Sequence, residues 1–245
     1  MPYLERGDAF IYYEEYGTGY PILLFAPGSL NSTIDAWHRA RWDPTKELAG
    51  EYRVIAMDQR NAGRSRAPIA ASDNWETFLG DHLALLDHLQ IARCHLMGAC
   101  IGVSFALRLI QEQPARVSAA VMQQPIGANA PRTVSSGFES WRAQLTDHPE
   151  ATDDVLRRYH DNLYGPLFVY SVTRDFVRSC ATPMLILPGS DQAHPYEIAA
   201  ELAELAPNAE FIPEWREGAA FESAFGRVRE FLRSHTPVAS PGAGG

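Results

Sequence analysis

The chain has 245 residues, 46% of them hydrophobic, and a formal net charge of −9 at pH 7. That length and apolar share suit one globular domain with a full-sized core, and the acidic balance leaves no basic footprint for nucleic acid. No apolar run approaches the roughly 18 residues needed to cross a bilayer, and the opening MPYLERGDAF has no charged-then-apolar leader pattern. The expectation is a cytoplasmic protein acting on a small molecule, without nucleic acid or membrane as partner; its oligomeric state is open. Cys94, Cys100 and Cys180 make an odd count without C-x-x-C spacing, which reads as reduced thiols and not as a disulfide framework or zinc site. No cofactor or metal is expected. Lys46 is the only lysine, so lysine is removed from nearly every catalytic scheme.

In chain order, FIYYEEYG (10–17) and PILLFAPG (21–28) are β-rich runs around a Gly-Thr-Gly-Tyr turn and read as a hairpin. A helix is expected over about 34–48, anchored by Trp37 and Trp42. YRVIAMDQ (52–59) is a short apolar strand of the kind buried on both faces. Phe78, Leu79, Leu83, Leu86 and Leu89 recur at helical spacing within 74–91. There follow a strand at 94–99, a helix at 101–113, and strands at 116–125 and 183–189. A helix at 196–205, a strand at 209–214 and a helix at 219–234 complete the series. Strands alternating with helices of this length imply an α/β fold with a mostly parallel twisted sheet covered on both faces. Residues 126–180 interrupt the alternation with helical patterning at about 134–146 and 151–163, and read as a small helical cap. The core is then 1–125 and 181–236, and the Pro/Gly/Ala-rich 237–245 reads as a flexible tail.

In open α/β sheets the ligand site lies beyond the carboxyl ends of the strands. Gly28, Asp58, Cys100, Gln124 and Asp191 fall at or just past such ends, whereas Cys94 and Cys180 precede their strands and read as plain buried thiols. HLMGACIGVSFALRLI (95–110) is a strand that turns into a helix across Gly98-Ala99-Cys100-Ile101-Gly102, the context in which a G-x-nucleophile-x-G elbow is informative. MDQRNAGRS (57–65) supplies a D-x-R-x-x-G-x-S loop through Asp58, Arg60, Gly63 and Ser65, and PGSDQAHP (188–195) places Asp191 after a strand. Taken together these segments resemble the α/β-hydrolase family over essentially the whole chain. The resemblance implies Cys100 as nucleophile, Asp191 as acid, and an oxyanion hole from the backbone amides of Gly28 or Ser29 with Ile101.

Two departures stand out. The loop that normally begins His-Gly is Ala26-Pro27-Gly28-Ser29. The loop after the last strand, PEWREGAAFES (213–223), holds no histidine where the resemblance implies the catalytic base; anchoring on Glu222 puts Glu217 there, with Glu214 a weaker candidate. His194, three residues after Asp191, is the other candidate base. A thiol needs its base less than a hydroxyl does, being already a few per cent ionised at neutral pH, and the start of helix 101–113 favours an anion. The leading expectation is a cofactor-free hydrolase or acyl-transfer enzyme acting through Cys100 on a small ester, thioester or lactone. Two alternatives stay open: acid/base chemistry such as C–C cleavage or decarboxylation in the same pocket, and an inactive relative that only binds a small molecule.

Overall fold

The computed structural model describes residues 2–127 and 136–238. Eight strands form one sheet: β1 (Tyr3–Arg6), β2 (Ala9–Tyr16), β3 (Tyr20–Phe25), β4 (Tyr52–Met57), β5 (Cys94–Ala99), β6 (Val117–Gln123), β7 (Met184–Leu187) and β8 (Ala209–Phe211). They lie in the order β1-β2-β4-β3-β5-β6-β7-β8. The pairs β1/β2 and β2/β4 are antiparallel and every later pair is parallel. Strand β1 lies outside the runs picked out from the sequence.

The hairpin expectation is wrong. Strands β2 and β3 do not pair, because β4 is inserted between them. Ile22, Leu23, Leu24 and Phe25 are completely buried, so β3 belongs in the centre with a partner on each edge. Gly17 and Gly19, both at positive φ, carry the chain past the start of β4; a side chain on either would overlap the backbone of Ala49 or Glu51.

Alternation along the central strands loads both faces of the sheet. Leu23, Phe25 and Leu96 join one apolar cluster with α3 (Trp75–His88) and α4 (Ile101–Glu112). Ile22, Leu24 and Met97 join a second with α1 (Ile34–His38) and the last helix, α9 (Gly218–Ser234). The helix expected over 34–48 is broken into α1 and α2 (Pro44–Glu47). Pro44 cannot continue a helix but starts one well, and Asp43 before it is extended and caps the amide of Thr45 at 3.0 Å.

Within 126–180 the chain forms α5 (Ser136–Arg142), α6 (Asp153–Leu163) and α7 (Arg174–Ser179), and α8 (Tyr196–Leu205) follows β7. Part of the helix expected from 134, and most of the expected tail, lie outside the described residues. The indoles tie this segment to the sheet layer: Trp141 Nε1 donates to the Asn61 carbonyl at 2.8 Å, and Trp75 Nε1 to that of Leu163 at 3.0 Å. Among the described residues no helix is long and apolar enough to cross a membrane.

The loop 57–65 is a structural knot under the site. Buried Asp58 accepts from the amide of Ile34 at 2.8 Å and from the amide and Nε of Arg64 at 2.9 Å. Ser65 Oγ donates to the Asp58 carbonyl at 2.7 Å, and Gly63 at φ 55° leaves room for the Asp58 carboxylate. Arg60 grips buried Asp81 through Nε and Nη2 at 2.8 and 3.0 Å. These contacts give the D-x-R-x-x-G-x-S pattern a structural role.

Two glycine substitutions of the same kind are expected to act in opposite directions. A side chain on Gly102 in α4 would overlap the Phe25 carbonyl, so Gly102→Ala lowers stability by about 1–3 kcal/mol. Gly226, exposed in α9 with nothing within 4 Å, gains about 0.5–1 kcal/mol as Ala. Urea unfolding midpoints of the two variants check both signs.

Candidate active site

Strand β5 ends at Ala99 and α4 begins at Ile101, leaving Cys100 alone to make the turn at φ 56°, ψ −120°. A non-glycine residue there is strained and is held only by surrounding structure. The restraints are visible. The Cys100 amide donates to the Gln123 carbonyl of β6 at 2.9 Å, and its carbonyl accepts from Val103 at 3.1 Å. Gly98 and Gly102 allow the turn to close, because a side chain on Gly98 would overlap the Gly102 carbonyl. Cys100 is partly exposed, whereas Cys94 and Cys180 are buried. Burial pushes the Cys94 thiol up to about 12, which leaves it inert.

Past the end of β7, residues 188–195 fold back on themselves around Gly189, where a side chain would overlap the His194 backbone. Asp191 Oδ1 accepts from the amides of Ala193 and His194 and from His194 Nδ1, each at 2.9 Å. The carboxylate thus orders its own loop and fixes the imidazole. With Nδ1 turned to Asp191, Nε2 is the nitrogen left for a further partner. The imidazole also lies close enough to the Cys100 side chain for the sulfur to act on its charge. Although burial opposes its charge, the contacts with Cys100 and then with Asp191 raise His194 to about 9. Asp191 is held below the usual carboxylate range against the opposing effect of burial, chiefly by His194. Its side chain is 51% exposed and that of His194 22%, so the imidazole is the more sheltered member of the pair.

Gly28 (φ 125°) and Ser29 (φ 56°) form a left-handed turn at the end of β3, before the helical turn Ser29–Asn31. Two successive residues in such conformations aim backbone N–H groups into one concavity. Ile101 contributes the first amide of α4, where an N–H has no acceptor within its own helix. These three residues sit at the ends of the adjacent strands β3 and β5.

Glu217 is not bonded into this cluster. It is the exposed residue preceding α9 and, among the described residues, makes no side-chain hydrogen bond or ion pair with Cys100, His194 or Asp191. It lines a groove with Pro188, Tyr196 and Glu214. The loop is pinned elsewhere, by Trp215 Nε1 donating to the Pro188 carbonyl at 2.8 Å.

One residue that sequence reasoning passed over is Tyr164, just after α6. Its hydroxyl hydrogen-bonds Ser29 Oγ, and its phenol is raised by burial first, with the Cys100 charge adding to the rise. Its ring lies 5.3 Å from that of Tyr170, which follows Val169 in a turn where both have positive φ. The sequence signal for it is the run of aromatics Trp141, Tyr159, Tyr164, Phe168 and Tyr170 within 126–180. Among the described residues no three His, Cys, Asp or Glu side chains converge to hold a metal ion.

Comparisons with known proteins place the fold. The family model described as alpha/beta hydrolase fold matches residues 21–219. A putative carbamate hydrolase RutD from Pseudomonas syringae pv. syringae is 25% identical over 218 residues, covering 75% of this chain and 82% of the relative. Among solved structures, a meta-cleavage product hydrolase from Pseudomonas fluorescens IP01 superposes with a TM-score of 0.69 at 21% identity, over 93% of this chain and 96% of the other. The enol-lactonase from Burkholderia xenovorans LB400 gives 0.68 at 20% identity, over 95% of this chain and 100% of the other. The chain belongs to the alpha/beta hydrolase fold family and is a hydrolase of that fold.

Proposed function

We propose that the protein is a cysteine-based acyl hydrolase or acyl-transfer enzyme for small esters, thioesters or lactones, with Cys100 as nucleophile, His194 as base and Asp191 as its orienting acid. The single observation that carries the proposal is the contact chain from Cys100 to His194 to Asp191 at a strained elbow. The described residues of 126–180 act as the cap over the pocket, and Glu217 has no part in the chemistry.

His194, protonated at neutral pH, holds the Cys100 proton and leaves the sulfur as its paired thiolate, which attacks the substrate carbonyl carbon. The carbonyl oxygen becomes an oxyanion beside the amides of Ser29 and Ile101. The intermediate collapses as the imidazolium gives its proton to the leaving oxygen or sulfur, leaving an acyl thioester on Cys100. His194 then deprotonates water, which attacks the thioester carbonyl, and Cys100 departs as thiolate beside the imidazolium, restoring the starting pair. Tyr164, hydrogen-bonded to Ser29 beside Cys100, supplies a hydroxyl to the same oxyanion from the cap. The relative named for carbamate and the neighbour named for an enol lactone both name small carbonyl compounds, in keeping with this substrate class.

Steady-state hydrolysis of p-nitrophenyl acetate separates the roles. Cys100→Ala abolishes turnover, and His194→Gln lowers kcat on the order of 10²–10⁴-fold. Tyr164→Phe lowers kcat on the order of 10²–10³-fold with little change in KM, as expected on losing one oxyanion donor, while Glu217→Gln stays within about twofold. Full activity in His194→Gln with loss in Glu217→Gln overturns the assignment.

The protonation of His194 gives a second test. Its folded value of about 9 stands above its ordinary 6.5, so its contribution to stability is complete below about pH 6.5 and is lost as pH rises through about 9. The imidazole should titrate near 9 by NMR in the native protein and lower in Cys100→Ala, which removes the largest contribution raising it. An ordinary midpoint that ignores Cys100 contradicts the contact.

A further inference from the structure

The loop after β8, which lacks a histidine, carries Arg216. Its Nε and Nη2 atoms are buried and have no hydrogen-bond partner. These two nitrogens form one edge of the guanidinium, the edge that makes paired hydrogen bonds to a carboxylate. Elsewhere in the chain the same edge is filled that way. Arg60 uses it on Asp81 at 2.8 and 3.0 Å, Arg174 on Glu201 at 2.5 and 3.0 Å, and Arg233 on Glu51 at 2.5 and 2.6 Å. A buried cationic edge without an acceptor is costly.

Arg216 lines a cavity of about 320 Å³ between the loop, the end of β6 and the α1–α2 connection. Arg41 lines it too, donating Nη1 to the Arg216 carbonyl at 3.1 Å and lying 3.7 Å above the Phe221 ring. Among the described residues neither arginine has a carboxylate within 4.0 Å, although most arginines of this acidic chain do. Gln123 and Gln124 add amide side chains to the wall, and Trp42 and Trp215 make it flat and apolar. None of Cys100, His194 or Asp191 lines the cavity. It nonetheless backs onto the elbow, because the Gln123 carbonyl accepts the Cys100 amide.

We propose that this cavity is a binding site for a small carboxylate with a flat apolar body. The carboxylate pairs with the Nε–Nη2 edge of Arg216, which turns into the cavity to meet it, and Arg41 supplies a second positive charge. The body lies against Trp42 and Trp215. The site is separate from the acyl pocket and independent of the reaction proposed there.

Benzoate is a suitable probe, with benzamide as its uncharged counterpart, read by calorimetry and by the indole NMR signals. Benzoate should bind saturably and shift the indoles of Trp42 and Trp215 but not those of Trp75 and Trp141, with benzamide about tenfold weaker or more. Arg216→Gln should weaken benzoate about tenfold or more. Arg41 is exposed, so Arg41→Gln offers a variant whose folding is not at risk, and it should weaken benzoate several-fold. Failure of benzoate to bind, equal binding of benzamide, shifts at neither Trp42 nor Trp215, or unchanged affinity in a folded Arg216→Gln or in Arg41→Gln each overturns the proposal.

Discussion

Helix α4 lies so close to strand β3 that only hydrogen fits between Gly102 and the Phe25 carbonyl. That approach fixes where the helix starts, and with it the left-handed turn that lifts Cys100 off the end of β5. A strained residue persists only where the surroundings leave it no alternative. Here the surroundings are two glycines, a hydrogen bond to β6 and a fully buried strand on the other side. The proposed nucleophile is therefore positioned by backbone packing before any side chain acts on it.

The proposed acid and base then come from one loop. In the order that the family resemblance implies, the acid follows one strand and the histidine the next; here Asp191 and His194 are three residues apart after β7. A single carboxylate oxygen collects two loop amides and the imidazole, so the loop and the tautomer are set by the same group. This compact arrangement suits a thiol, which asks less of its base than a hydroxyl. In this proposal the loop after β8 takes no part in catalysis, and its Trp215 and Arg216 line a separate cavity.

Much of this was legible in the chain. The elbow was readable because two glycines sit between an apolar strand and an amphipathic helix, a context that short motifs alone lack. Asp191 was readable from its place after a strand. The choice between Glu217 and His194 was not, because both follow strand ends and sequence distance does not tell which loop folds inward; the Asp191 carboxylate bonding its own loop and His194 is what favours His194 in the proposal. Tyr164 was hidden for a different reason, since its contact with Ser29 spans 135 residues and depends on how the 126–180 segment lies on the sheet. The misread hairpin came from judging β2 and β3 by their short connection, when the all-apolar character of β3 called for a neighbour on both sides.

The account stands or falls on a covalent intermediate at one sulfur. Acid-quenched reaction with p-nitrophenyl acetate, followed by intact mass and peptide mapping, measures it directly. The prediction is a single acetyl group on Cys100 that builds up further in a variant with His194 replaced by Gln when deacylation becomes the slower step. Turnover with no adduct on Cys100 under any quench, or an acetyl group that maps to another residue while Cys100→Ala stays active, would contradict it.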